Sequence, residues 1–434
     1  MGNSDVRSET KPRKSTFPIV VLLATVVTAP SPAQVPWRPF SPDSPWNEKI
    51  PSSARTDPQS DSLISDFAKG GFLVNIGDWS VPVYYVNSAT VPKVQVINSR
   101  PDVYGRGFAE PNAIPVLPDF IASPPVGEFS DNHMCIVDTT IMREWDMWAA
   151  RKNAAGQWTT GLGAVTDMRS TGVERPWFEQ DREFDAHRSR ASGFPLIAGL
   201  IRPDEIAAGR IDHALVFAYQ RGRSEFFIPP ASTAQATYME MNNKTGIPMG
   251  GRIQLDPAIN VDSLPLTPAC KIIARALQEY GAYNGDYAGA TVLYADNSPS
   301  ALQRWKGVLG KNDFDSVFTS SFVKAHFRVI AMGNLLPGQN LEHNQAGFVD
   351  FGFAGARTVT IDWLTSTITC TADGSVDRSR ILPWFKTVRK NSRVTVQYVP
   401  QESWKSAVDL RRDLTYTVEV PGGESRTWTV SVKR

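Results

Sequence analysis

Proline limits this chain more than any other residue. From Gln34 to about Asp131 it recurs at Pro36, Pro39, Pro42 and Pro45, and then at intervals to Pro124 and Pro125. Each proline lacks a backbone donor and collides with the preceding helical turn, so no long helix can cross this region. One short helix fits, from Ser60 to Lys69, with Leu63, Ile64 and Phe67 on its apolar side. Alternating runs at Ser80 to Val86 and Lys93 to Ile97 predict strands. Residues 34–131 are therefore expected to form a lead-in that packs on the core and completes a sheet, anchored by Trp37, Phe40 and Trp46.

The first 33 residues read as an export signal. Arg7, Lys11, Arg13 and Lys14 form a basic start, Phe17 to Ala29 is mostly apolar, and Ser31-Pro32-Ala33 supplies small residues before a cut at Gln34. The apolar run is too short to span a bilayer, so the expected product is secreted or periplasmic, with no membrane span after cleavage. Over the whole chain 45 basic residues face 44 acidic ones, which leaves no electrostatic footprint for nucleic acid. Cys135, Cys270 and Cys370 are an odd number for an exported chain. Either Cys135 bridges Cys270, or all three are buried small hydrophobes. No Cys/His spacing resembles a metal site, and no cofactor is expected.

Residues 132–336 carry the candidate chemistry. Strands are expected at His133 to Thr139, Arg143 to Ala149, Leu162 to Arg169, Asp212 to Tyr219 and Arg252 to Leu255. Helices are expected at Pro203 to Ala208, Pro268 to Tyr280 and Pro299 to Val308. The expected class is mainly β: a central antiparallel β-sandwich or jelly roll with a few short helices. Short alternating strands from Phe348 to Val432 predict a second, smaller β-sandwich over residues 344–434. Of the 12 tryptophans, Trp145, Trp148, Trp158 and Trp177 are the central ones available to a ligand; Trp363, Trp384, Trp404 and Trp428 are assigned to the appended sandwich.

Three resemblances bear on function. The ending Leu414-Thr-Tyr-Thr-Val-Glu-Val-Pro-Gly-Gly through Val432 resembles the last hairpin of bacterial Ig-like modules appended to secreted, often carbohydrate-active, proteins. The series Ser44-Pro-Trp-Asn47, His133 with Asp138, Glu144, Gly193-Phe-Pro-Leu-Ile-Ala-Gly-Leu200, Glu205, and Gly209 with Ile211-Asp-His-Ala-Leu215 resembles an uncharacterised family of exported bacterial proteins, which implies secretion and architecture rather than a reaction. Glu144-Trp-Asp146 resembles the E-x-D strand of laminarinase-type jelly-roll glucanases, although Ala149 stands where that pattern has a second glutamate.

In a strand, Glu144, Asp146 and Trp148 share one face, giving two carboxylates and an aromatic platform, the equipment of a glycosidase. Glu205, Asp138 and Asp167 are alternative carboxylate partners for Glu144. Equally, the strand can present a merely solvated acidic face. His133 and His213 each open a predicted strand and are candidate bases for β-elimination on a uronate, with Arg169, Arg175 or Tyr219 in support; the plain alternative is a histidine bonded to backbone at a strand end. The run Arg182, His187, Arg188 and Arg190 reads as a solvated, salt-bridged loop. Function is thus expected to be secreted polysaccharide degradation by a monomer. Endo-acting glycoside hydrolysis by Glu144 with Asp146 or Glu205 leads, a lyase is the rival, and a non-catalytic glycan-binding or cell-surface protein is the third reading.

Overall fold

The computed structural model describes residues 1–2, 37–101, 108, 113–125, 130–180, 188–234, 245–339 and 345–433. Nearly all of the expected export signal lies outside these residues. Residues 36–434 form one compact unit. The chain is mainly β, with strands in several sheets and only short helices. Among the described residues no helix is long and apolar enough to cross a membrane.

A six-stranded mixed sheet lies at the centre, in the order Leu73–Asn75, Val292–Tyr294, Leu215–Ala218, Ala282–Asp286, Arg252–Leu255 and Phe327–Val329. Its Leu215–Ala218 strand runs parallel to Ala282–Asp286 and antiparallel to Val292–Tyr294. The Pro268–Glu279 helix buries Ile272, Ile273, Ala276 and Leu277 in the same apolar cluster as Leu215, Ile253 and Leu293. Its start is fixed by proline in the first turn and by the Thr267 hydroxyl, which accepts the Cys270 N–H at 3.3 Å.

A four-stranded sheet stands beside it, ordered Leu162–Asp167, Arg143–Trp148, Met134–Asp138 and Val83–Tyr85. The last strand comes from the proline-rich lead-in and pairs in parallel with Met134–Asp138. The period of two divides the sheet's residues between two cores. Ile136, Trp145 and Met147 join one apolar cluster, and Cys135 and Val137 join another.

Trp46 and Phe40 of the lead-in are buried and Trp37 is half-buried. The Trp46 ring is edge-on to Phe194 at 4.7 Å and to Tyr283 at 5.1 Å. Asn47 donates to the carbonyls of Pro39 and Ser41 at 3.0 and 2.9 Å, which closes the turn. In the C-terminal part, a six-stranded sheet runs Ala356–Asp362, Thr367–Ala372, Ser425–Lys433, Leu414–Glu419, Arg393–Val396 and Val399–Pro400. The expected single strand from Arg393 to Val399 is broken by a turn at Gln397 and Tyr398, both left-handed. Cys135, Cys270 and Cys370 are all buried and free, so the bridge between Cys135 and Cys270 is not formed.

Candidate functional site

Glu144 and Asp146 point from the Arg143–Trp148 strand to the same face, and neither reaches solvent. The irregular segment after Gly193 covers them. Ile197 N–H donates to Glu144 Oε1 at 2.8 Å and Leu196 N–H donates to Asp146 Oδ2 at 2.9 Å. Cys135 Sγ lies 3.4 Å from Glu144 Oε1 as a thiol donor. The second oxygens, Glu144 Oε2 and Asp146 Oδ1, have no donor among the described residues. Burial raises the pKa of Glu144; burial and the Glu144 charge hold Asp146 well above the usual carboxylate range. One proton shared between the two acids satisfies both free oxygens.

Ligand atoms of Cys135, Glu144 and Asp146 lie within 4.8 Å of one another. A metal there would need the thiolate, and burial together with Glu144 and Asp146 pushes the thiol pKa well up. These residues fit a proton better than a cation. The motif's expected place in an open cleft is therefore corrected: its acids are interior groups that fix the backbone at Leu196 and Ile197.

Glu205 and His213 do meet, as a second interior cluster. Glu205 Oε1 accepts from His213 Nε2 at 2.8 Å and from Arg202 Nη2 at 2.6 Å, while Oε2 accepts the Arg202 N–H at 3.0 Å. Desolvation works against the Glu205 carboxylate, but Arg202 and His213 bring its pKa down to about 2. His213 Nδ1 faces the Ala214 carbonyl at 2.9 Å, so each ring nitrogen meets an acceptor and neither is free to act as a base. The cluster caps the Pro203–Ala207 helix and ties it to the Trp37 carbonyl through Arg202.

His133 lies in a different cluster, so the two histidines do not converge. Its Nε2 is 2.9 Å from the Ser189 carbonyl, which can only accept; Nε2 therefore carries the proton and Nδ1 the lone pair. Among the described residues Nδ1 has no partner. Burial lowers its pKa and so keeps the ring neutral, Arg190 adding to the effect and Asp131 opposing it. Asn132, left-handed and bonded through its amide to the Ser123 and Pro125 carbonyls, sets the ring's approach.

Arg190 completes this site, and the reading of its charged run as solvated surface is corrected for Arg188 and Arg190, which are buried; Arg182 and His187 lie outside the described residues. Arg190 is 2% exposed, lies over the Tyr294 ring at 4.3 Å and donates from Nη2 to the Leu196 carbonyl at 3.2 Å. Its Nε and Nη1 have no partner among the described residues. Arg188, also buried, is spent on Thr166 at 2.6 Å and on Glu174. Asp286 ends the Ala282–Asp286 strand beside Arg190, and burial and Asp131 push its pKa up to about 7. Asp131, Ala191 and Asp286 are half-buried and bring the cluster to the surface. Trp148, the expected platform, joins it by donating from Nε1 to Asp131 at 3.0 Å. Sequence reading missed Asp286 and Tyr294, because the short buried strands that carry them show no alternation, and it met Arg190 only as part of a charged run.

The remaining expected site residues lie elsewhere. Asp138 is buried, but bonds from Ser88 and Thr140 overcome desolvation and hold its carboxylate low, so it serves a turn. Asp167 and Arg169 form an exposed pair at 2.9 Å. Tyr219 is enclosed and bonded to the Ile247 backbone. A separate cleft of about 440 Å³ is lined by Trp177, Phe178, Gln180, Arg389, Lys390 and Asn391 among others, and shares no residue with these clusters.

No protein-family model matches the chain, and no curated protein does. Among solved structures, a "putative glycoside hydrolase" from Bacteroides thetaiotaomicron aligns at 18% identity over 22% of this chain and 26% of its own, with a TM-score of 0.18. A "putative secreted protein" from Bacteroides fragilis aligns at 18% identity over 21% of this chain and 98% of its own, also with a TM-score of 0.18. At that level neither fold nor function is transferred.

Proposed function

We propose that the protein is an exported polysaccharide-degrading enzyme whose reaction is β-elimination at the His133–Arg190 cluster. What supports the reading is a neutral imidazole, His133, whose Nδ1 has no partner among the described residues and which feels the charge of the buried Arg190, with half-buried Asp131 and Asp286 in the same electrostatic cluster. A uronate substrate uses both His133 and Arg190. Arg190 binds the sugar carboxylate and stabilises the charge that develops on it, while His133 Nδ1 takes the C5 proton. The C4–O4 bond breaks as the C4–C5 double bond forms, and the leaving O4 takes a proton from Asp286, whose raised pKa keeps it protonated up to near neutral pH. In this scheme Asp146 is a positioning residue: it holds the Leu196 N–H, and the Leu196 carbonyl holds Arg190.

Hydrolysis by two carboxylates is the second reading, moved from Glu144 and Asp146 to Asp286 and Asp131. It is favoured by Asp131 raising the pKa of Asp286, which sets an acid beside a base. The test is incubation of the mature protein with a panel of neutral and uronic polysaccharides, following new reducing ends and the ultraviolet absorbance of an unsaturated product. Both signals together mean elimination. Reducing ends without absorbance mean hydrolysis, and neither signal overturns both readings in favour of a binding protein.

A further inference from the structure

We infer that the C-terminal sheet carries a second, non-catalytic site, an aromatic platform formed by Trp404 on Trp384 that binds the flat faces of uncharged pyranose rings. Trp404 is 58% exposed and Tyr398 93% exposed. The Trp404 ring stacks on Trp384, with centroids 6.2 Å apart and planes 26° apart. Trp384 in turn lies against Gly352, where an added Cβ would come within 2.5 Å of the indole. Gly352 thus allows the inner ring to seat on backbone and leaves the outer ring open.

The backbone holds these rings outward against its own preference. Tyr398 and Trp404 have φ values of 67° and 65°, a region that a bulky side chain seldom enters. Tyr398 sits with Gln397 in the two-residue turn between Val396 and Val399, where Asn-Gly is the ordinary choice. Trp404 is fixed by its N–H donating to the Pro383 carbonyl at 2.8 Å, and the neighbouring Ser403 hydroxyl accepts the Phe385 N–H at 2.9 Å.

The surrounding charges indicate which ligand fits. Lys405 is paired with Glu402 at 2.8 Å and Lys386 with Glu179 at 2.7 Å, so the platform presents no net field to attract an acidic polymer. An uncharged sugar suits it, with its C–H face on the ring and its hydroxyls left in water. This site does not depend on the chemistry at His133.

The test is retention of the full chain on microcrystalline cellulose and on curdlan, with calcium alginate as the acidic comparison and sedimentation as a check on self-association. The expected result is retention on a neutral polymer, weakened on the order of tenfold by Trp404→Ala and unchanged by Trp79→Ala, an exposed tryptophan elsewhere. Trp404→Tyr is expected to keep most of the retention, because a smaller ring still offers a flat aromatic face. Trp404→Leu, which keeps an apolar side chain but no flat ring, is expected to lose retention, and the contrast with Trp404→Tyr carries the test if Trp404→Ala fails to fold. Retention on alginate alone, retention on no polymer, equal retention of Trp404→Ala or Trp404→Leu and wild type, or a dimer that Trp404→Ala dissociates would each overturn the inference.

Discussion

Asp146→Asn tests the shared proton between Glu144 and Asp146. Their facing oxygens lie within 4.8 Å in a site closed to solvent. At an effective dielectric of about 20, two full charges at that distance repel by roughly 3.5 kcal/mol. The folded protein therefore keeps a proton that the unfolded chain releases near pH 4. With more protons bound in the folded state, stability is greatest below that pH. It falls by about 1.4 kcal/mol per pH unit as pH rises, until the pair ionises fully.

Asparagine removes this dependence. Its carbonyl can keep the Leu196 N–H, and its amide can donate to Glu144 Oε2 in place of the shared proton. Urea unfolding followed by tryptophan fluorescence between pH 5 and pH 7 should show the wild type losing about 2 kcal/mol relative to the variant. Parallel stability curves would refute the shared proton. So would a variant weaker than wild type by more than about 2 kcal/mol at pH 7, since that would mean both acids work as charged acceptors.

Glu205→Ala should cost about 3–5 kcal/mol in urea unfolding because it strands Arg202 in the interior. Since the pKa of Glu205 is depressed to about 2, its contribution is present above about pH 4.5 and lost as pH falls through 2, a sign opposite to that of Asp146. His133→Ala should lower kcat on the responsive polymer by about 10²–10⁴-fold with the fold retained by circular dichroism. On the elimination scheme, wild-type kcat/KM should rise with pH as His133 deprotonates and fall again near pH 7 as Asp286 loses its proton, and Asp286→Asn should remove the falling limb. Gly250→Ala should cost more than about 2 kcal/mol in thermal unfolding, because φ is 83° there and the new Cβ would meet the Ile228 carbonyl oxygen at 1.9 Å.

Elements with strong local signals were legible. The Pro268–Glu279 helix announces itself by Thr267, Pro268 and one apolar stripe, and Arg143–Trp148 by alternation. Ala282–Asp286, Val292–Tyr294 and Phe327–Val329 were not, because short strands buried on both faces show no alternation and take their pairing from distant partners. The turn at Gln397 and Tyr398 carries neither glycine nor asparagine, so nothing announced the break in that strand. At the site, periodicity placed Glu144 and Asp146 on one face but was silent on what covers that face. The cover, Leu196 and Ile197, lies in an irregular segment far along the chain.

That cover explains why two acids stand side by side in an interior. The segment from Gly193 to Leu200 belongs to no helix or strand, so its N–H groups have no ladder partners and, once buried, need acceptors. The Arg143–Trp148 backbone has none to give, because its two neighbouring strands use it on both edges. Side-chain oxygens at alternate positions are what remains, and two consecutive N–H groups require two of them. Neutral amides could serve, but one ionised carboxylate makes a stronger acceptor, and the shared proton keeps the pair from carrying two charges. The arrangement also fixes the Leu196 carbonyl that takes one Arg190 donor, leaving the other two guanidinium nitrogens free. The acids read from the sequence as catalysts thus stand one layer behind the groups assigned to the chemistry, and their part in it is the placement of Arg190.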